Sequence, residues 1–178
     1  MKNKEQMLIL VDENDMPTGE YAEKDRCHRG QGIHHRAFVI VLFDDKGRVF
    51  LQLRKHVRWD KYWDIAATSH VLHKDSGNES YKEAAERALF DELGVKNVKF
   101  VNIGGFNYFA KYNLQCENEY CAVLVGRYKG EKIQANKNIA YDTKWIDESE
   151  FVEDVNKDPD KYTPWAKETV KILQSKNI

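Results

Sequence analysis

The sequence predicts an α+β fold, a mixed β-sheet flanked by helices, and three observations carry that expectation. Strand-like runs rich in β-branched and aromatic residues dominate the first two thirds of the chain. One amphipathic helical stretch, "NESYKEAAERALFDELGV", interrupts them, and two further helical segments close the chain. A doubly wound parallel sheet would instead alternate strand and helix throughout.

In chain order, "MLILVD" reads as a strand, closed by the turn-forming "ENDMPTG". "HRAFVIVLFDDKGRVFLQLRK" is a hairpin, with two β-rich runs around "DDKG", where Gly47 can take the positive φ of a tight turn. "WDIAATS" is a short strand. In the helix that follows, Asn78 or Ser76 is the expected N-cap, Gly94 the stop, and Ala84, Leu89 and Leu93 share a stripe. "VKFVNIGGFNYFAKY" and "NEYCAVLVGRY" form a strand pair, and "TKWID" one strand more. "ESEFVEDV" and "TPWAKETVKILQ" are helices, the second with Thr163 as N-cap and Pro164 at the first helical position.

The chain of 178 residues, with no repeat or linker, is expected to form one domain over residues 1–178. Its 28 basic and 29 acidic residues leave a net charge of −1, which argues against nucleic acid or an anionic membrane as partner. Three cysteines, Cys27, Cys116 and Cys121, contain no CxxC pair, so neither a disulfide framework nor a thiolate zinc site is expected. With no secretory leader and no membrane-length apolar run, a cytoplasmic setting is the expectation.

The residues that could carry chemistry begin with "QCENEYCAVLV". Strand alternation places Glu117 and Glu119 on one face, where like charges repel. The pair is either an exposed strand face or the two arms of a cation site. In the helix, Glu79, Arg87, Asp91, Glu92 and Gly94 have the spacing E-x7-R-x3-[DE]-E-x-G, although Arg87 and Asp91 alone could be a surface salt bridge one turn apart. Among six histidines, His34 and His35 are strand neighbours, so only one of them can face a given site. Three histidines with two carboxylates would give a cation an N and O donor set suited to manganese, magnesium or zinc.

The helix pattern resembles the Nudix box, with His73 where the box opens on Gly and Ala88 where its first metal-binding Glu belongs. The order K-x3-H-x6-H-x-A-F, W-x6-H, Nudix helix, E-N-E and [YF]-[ST]-P-W, over roughly residues 8–170, resembles type 1 isopentenyl-diphosphate isomerase. That resemblance implies a Nudix fold, an α/β/α sandwich, and a site moving the double bond of a small prenyl diphosphate. It implies His28, His35, His70, Glu117 and Glu119 as ligands of a manganese or zinc ion, and Glu92 for a magnesium ion arriving with the substrate diphosphate. It further implies Lys24, Arg54 and Arg58 on phosphate oxygens, Trp165 over the prenyl tail, and Glu119 with Tyr108 on the acid side. Arg58 and Tyr108 each match after a short gap. A monomer or homodimer without macromolecular partners is the expected state.

One departure touches the chemistry. The family removes a proton with a Cys, and here that position holds Thr68, whose hydroxyl does not titrate near neutrality. Cys121 and Cys27 are expected to be ordinary buried thiols rather than substitutes. Two alternatives therefore stand beside the isomerase: a Nudix hydrolase of a prenyl or nucleoside diphosphate, and a non-catalytic prenyl-diphosphate binder.

Overall fold

The computed structural model describes residues 6–130 and 133–176. Strand β1 (Met7–Val11) turns back into β2 (Pro17–Glu23), and a short helix α1 (Lys24–Cys27) leads to β3 (His35–Phe43). The hairpin partner β4 (Arg48–Arg54) is followed by β5 (Trp63–Ile65), β6 (Ala67–His70), β7 (Leu72–Lys74) and β8 (Gly77–Asn78). Helix α2 (Tyr81–Leu93) precedes the long pair β9 (Phe100–Tyr112) and β10 (Gln115–Arg127), then β11 (Ala140–Asp147), α3 (Glu148–Lys157) and α4 (Pro164–Lys176). No helix among the described residues is long and apolar enough to cross a membrane.

The sheet is mixed, as expected. β10 runs parallel to β3 and antiparallel to β9, while β6 lies antiparallel on the other side of β3. β3 is an almost unbroken apolar run because both of its faces are covered. Phe38, Ile40 and Leu42 meet Ala84, Ala85, Ala88, Leu89 and Leu93 of α2 on one face. Ala37, Val39 and Val41 meet Phe151 and Val155 of α3 and Val170 and Leu173 of α4 on the other. This is the α/β/α sandwich. Burying Leu89 and Leu93 contributes about 1.5–3 kcal/mol each relative to exposed positions.

Four local expectations need correction. Helix α2 is capped by Ser80, neither Asn78 nor Ser76: its hydroxyl accepts from the Glu83 N–H while the Glu83 carboxylate accepts from the Ser80 N–H, a capping box. "WDIAATS" is not one strand, because the chain changes partner at the buried Ala66: β5 pairs with β4, and β6 with β3. The turn after β1 is confined to residues 12–16, where Asp12 accepts the N–H groups of Asn14 and Met16. Pro17 already begins β2, which pairs only with β1, and an edge strand tolerates a residue without an N–H. Arg87 pairs with Glu79 rather than Asp91, through Nε at 3.0 Å and Nη2 at 2.8 Å, and Nη2 also donates to the His70 carbonyl.

The expected Gly47 turn is present at φ 78, with Asp44 accepting the N–H groups of Lys46 and Arg48. Thr163 caps α4 through its hydroxyl and the Ala166 N–H.

Candidate active site

Strand register assembles the first half of the site. Glu119 lies beside His35 in the parallel β10/β3 pairing and beside Tyr108 in the antiparallel β10/β9 pairing. Alternation brings Glu117 to the same face as Glu119, and Cys121 and Val123 continue that face into the core beneath α4. His70 ends β6, and His28 terminates α1.

The ligand atoms of His28, His35, His70, Glu117 and Glu119 all lie within 4.8 Å of one another, and all five residues are buried. His34 points elsewhere, onto the Val11 carbonyl.

Two of the imidazoles are fixed from behind. His28 Nδ1 donates to the Lys24 carbonyl at 2.6 Å, and His35 Nδ1 to the Ile33 carbonyl at 2.7 Å. A carbonyl can only accept, so each Nδ1 carries the hydrogen and each Nε2 keeps its lone pair for the centre. His28 Nε2 stands 2.7 Å from Glu117 Oε2, and His35 Nε2 3.3 Å from Glu119 Oε1. Yet His28 Nε2, His35 Nε2 and Glu117 Oε2 have no hydrogen bond of acceptable geometry. Buried polar atoms left in that state cost about 1–3 kcal/mol each. A divalent cation would satisfy all of them, and the donor set of three imidazoles and two carboxylates fits one.

Charge around the cluster is sharply differentiated. Burial, reinforced by Lys24 and the neighbouring imidazoles, pushes His70 well below its ordinary value, so it stays neutral. Burial alone would raise Glu119, but the imidazole of His35 beside it, with further contributions from Glu117 and His28, lowers it to about 2. Tyr108 moves the other way: burial and the adjacent Glu119 charge keep its phenol protonated, and it donates to Glu119 Oε2 at 2.6 Å.

A cavity of about 60 Å³ brings Thr68, Tyr108 and Trp165 into one enclosure with Glu117 and Glu119, and Lys24, Arg54 and Arg58 form part of its wall. Arg58 Nε lies 3.0 Å from Glu117 Oε1. Lys24 is shifted down, chiefly by burial and then by the Arg58 charge. A second cavity of about 290 Å³ shares Lys24, Arg54 and Thr68 with the first and extends to Ala88, Asp91 and Glu92. Burial pushes Glu92 up to about 7 despite the 3.1 Å hydrogen bond it accepts from Gln52. Glu92 thus faces this second chamber, whereas the other eleven expected residues line the first or meet in the ligand cluster. Two larger hollows, about 690 Å³ around Gly32 and 610 Å³ around Tyr128, contain none of them.

Neither Cys27 nor Cys121 lines the cavity. Cys27 is buried among Leu8, Leu10 and Leu72, its thiol pushed up to about 12, and Cys121 is buried under α4 with its thiol driven well above the ordinary range.

Sequence reasoning misses two residues of the site. Asp64 is fully buried beneath it, and its carboxylate accepts from Arg54, Thr163 and Trp165. A lone Asp between apolar strand residues was the available signal. His56 lines both cavities, and burial with the charges of Arg54, Arg58 and Lys24 depresses it to about 4, leaving it neutral. No spacing marks it.

The NUDIX domain family model matches residues 33–166. The chain is 32% identical to isopentenyl-diphosphate Delta-isomerase 2 of Photorhabdus laumondii, over 98% of this chain and 96% of that one. It is 30% identical to the isopentenyl-diphosphate delta-isomerase of Schizosaccharomyces pombe, over 92% and 79%. Among solved structures, DR0079 from Deinococcus radiodurans superposes with a TM-score of 0.70 at 17% identity, covering 93% of this chain and 98% of that one. A MutT protein from Methanosarcina mazei gives 0.64 at 15%, covering 81% and 95%. At those identities the two structures speak for the fold alone. The domain match and the near full-length similarity agree: the chain belongs to the NUDIX family, among the relatives of the isopentenyl-diphosphate Delta-isomerases.

Proposed function

We propose that the chain is a single Nudix domain acting as an isomerase on a small prenyl diphosphate, interconverting isopentenyl and dimethylallyl diphosphate by proton transfer. One observation carries this: five buried N and O ligand atoms lie within 4.8 Å of one another, and three of their residues, His70, Glu117 and the phenol-bonded Glu119, open onto an enclosure walled by cationic side chains. His28, His35, His70, Glu117 and Glu119 would hold manganese or zinc, which when bound would supply Lewis-acid charge to the carboxylates that hold it. Lys24, Arg54 and Arg58 hold the diphosphate, for which the planar guanidinium fork is well shaped. Glu92, facing the second chamber, would hold the magnesium that accompanies it.

The reaction needs one group to give a proton and another to take one. Glu119, with the Tyr108 hydroxyl on its Oε2, is the donor side, and because it rests as a carboxylate it must take up a proton before it can give one. Thr68 faces the same cavity and occupies the place of the second proton-handling group. Trp165 and Tyr108, ring centroids 6.3 Å apart, present aromatic surface that favours a developing carbocation. Ala88 supplies no carboxylate to the second chamber, and this weighs against hydrolysis. A cytoplasmic setting, as monomer or homodimer and without nucleic-acid or membrane partners, goes with this function.

The test is incubation of purified protein with isopentenyl diphosphate, magnesium and manganese in deuterated water. Deuterium should enter the allylic positions and dimethylallyl diphosphate should accumulate. Phosphate release without exchange would turn the assignment to a hydrolase, and saturable binding with neither would turn it to a binder.

A further inference from the structure

A threonine cannot replace a thiol on its own. Its hydroxyl carries one hydrogen and two lone pairs, so it stays neutral on accepting a proton only if its own hydrogen leaves at the same time. Something behind it must take that hydrogen.

Asp64 is placed to do so. Its Oδ2 is 3.5 Å from Thr68 Oγ1, four residues along the chain, and also accepts from Arg54 Nη1 at 2.7 Å. Its Oδ1 accepts from the Trp165 indole at 2.7 Å, the Thr163 hydroxyl at 3.0 Å and the Ile65 N–H at 2.9 Å. The residue is fully buried, so it reaches the cavity through Thr68, Arg54 and Trp165, and of these only the Thr68 hydroxyl can pass it a proton by taking another. The Thr68 contact is long, as catalytic hydrogen bonds often are without substrate.

We propose that Asp64 is the proton acceptor behind Thr68, and that the Thr68–Asp64 pair stands in for the thiol. This rests on the isomerase function above. Glu119, once it has taken up a proton, loses that hydrogen to one alkene carbon, and the O–H bond that breaks leaves a carboxylate beside a carbocation. A neighbouring C–H bond then breaks, and its electron pair becomes the new double bond. That proton bonds to Thr68 Oγ1 as the hydroxyl hydrogen moves to Asp64 Oδ2, so one carboxylic acid is formed as one carbocation is lost. Five donors make Asp64 a weak base, and a weak base suffices. Hydrogens next to a carbocation are far more acidic than any carboxylic acid, so placement matters more than basicity. Asp64 is therefore a positioning residue acting through Thr68.

A double-mutant cycle on the deuterium-exchange rate separates relay from scaffolding. Asp64→Asn should cost about 100-fold beside the native threonine. In a Thr68→Cys background, where the thiol takes the proton itself, the same change should cost less than about fivefold, because a relay partner is no longer needed. Equal losses in both backgrounds would overturn the relay and leave Asp64 a structural anchor. Should Asp64→Asn fail to fold, Thr68→Val keeps the Arg54, Thr163 and Trp165 contacts and must still lose about 100-fold, most of it restored by Thr68→Ser. An unimpaired Thr68→Val overturns the proposal. Exchange by Thr68→Cys but not by the native chain overturns the relay alone; exchange by neither overturns the isomerase function.

Discussion

Two carboxylates two positions apart on one strand face repel unless something shares them. Here Glu117 meets His28 at 2.7 Å and Arg58 at 3.0 Å, while Glu119 meets His70 at 3.0 Å and the Tyr108 hydroxyl at 2.6 Å. Removing one donor from a shared cation site weakens the whole chelate. Native protein dialysed against a weak chelator should retain about one equivalent of manganese or zinc, and His70→Ala or Glu117→Gln should retain at least tenfold less. Elemental analysis checks this, and unchanged occupancy in both variants would defeat the five-ligand centre. At this scale Glu117 with Glu119 is legible from strand alternation, whereas His28 with His35 is legible only through the family resemblance. Asp64 is not legible because its partners Arg54, Thr163 and Trp165 come from distant parts of the chain.

Helix α2 shows how the box holds its own geometry. Glu79 accepts from Arg87 twice and from the Leu72 N–H, and Arg87 reaches on to the carbonyl of His70, a cluster residue. Burial would raise Glu79, but the hydrogen bonds of Arg87 and Lys74 outweigh it and hold the folded value below the ordinary 4.5. A depressed carboxyl gives stability that is complete above its unfolded value and is lost as pH falls through the folded one. Glu79→Gln should therefore destabilise by about 2 kcal/mol near neutrality, with the deficit shrinking below about pH 4.5. Urea unfolding at both pH values measures it, and a pH-independent deficit would refute the assignment. Helix α2 itself is legible from its stripe. Its cap is less so, because Ser76, Asn78 and Ser80 are all competent N-caps, and only the reciprocal bond with Glu83 selects Ser80. β2 escapes for a different reason: an edge strand with polar residues on both faces carries no alternation to read.

Over the whole molecule, the five ligands come from three widely separated stretches: His28 with His35, then His70, then Glu117 with Glu119. They add to the β6/β3 ladder and to the Cys116 N–H bond on the His28 carbonyl a link that ties the α1 segment, β6 and the central β3–β10 pair at one point, so a cation binding there restrains all of them together. Anything that binds only the folded state stabilises it by mass action, about 4 kcal/mol at a thousandfold excess over Kd. For a chain of this size each kcal/mol moves Tm by roughly 2–4 °C. Stripping the metal should then lower Tm by about 8–16 °C, and manganese or zinc should restore it. His70→Ala should start near the stripped value and respond little to either treatment. Scanning calorimetry with and without chelator measures all four states. An equal shift in His70→Ala would mean that the ion acts elsewhere. No shift in the native chain would mean that the imidazoles and carboxylates hold one another without it, and the cluster would then be a buried ion-pair network rather than a metal centre.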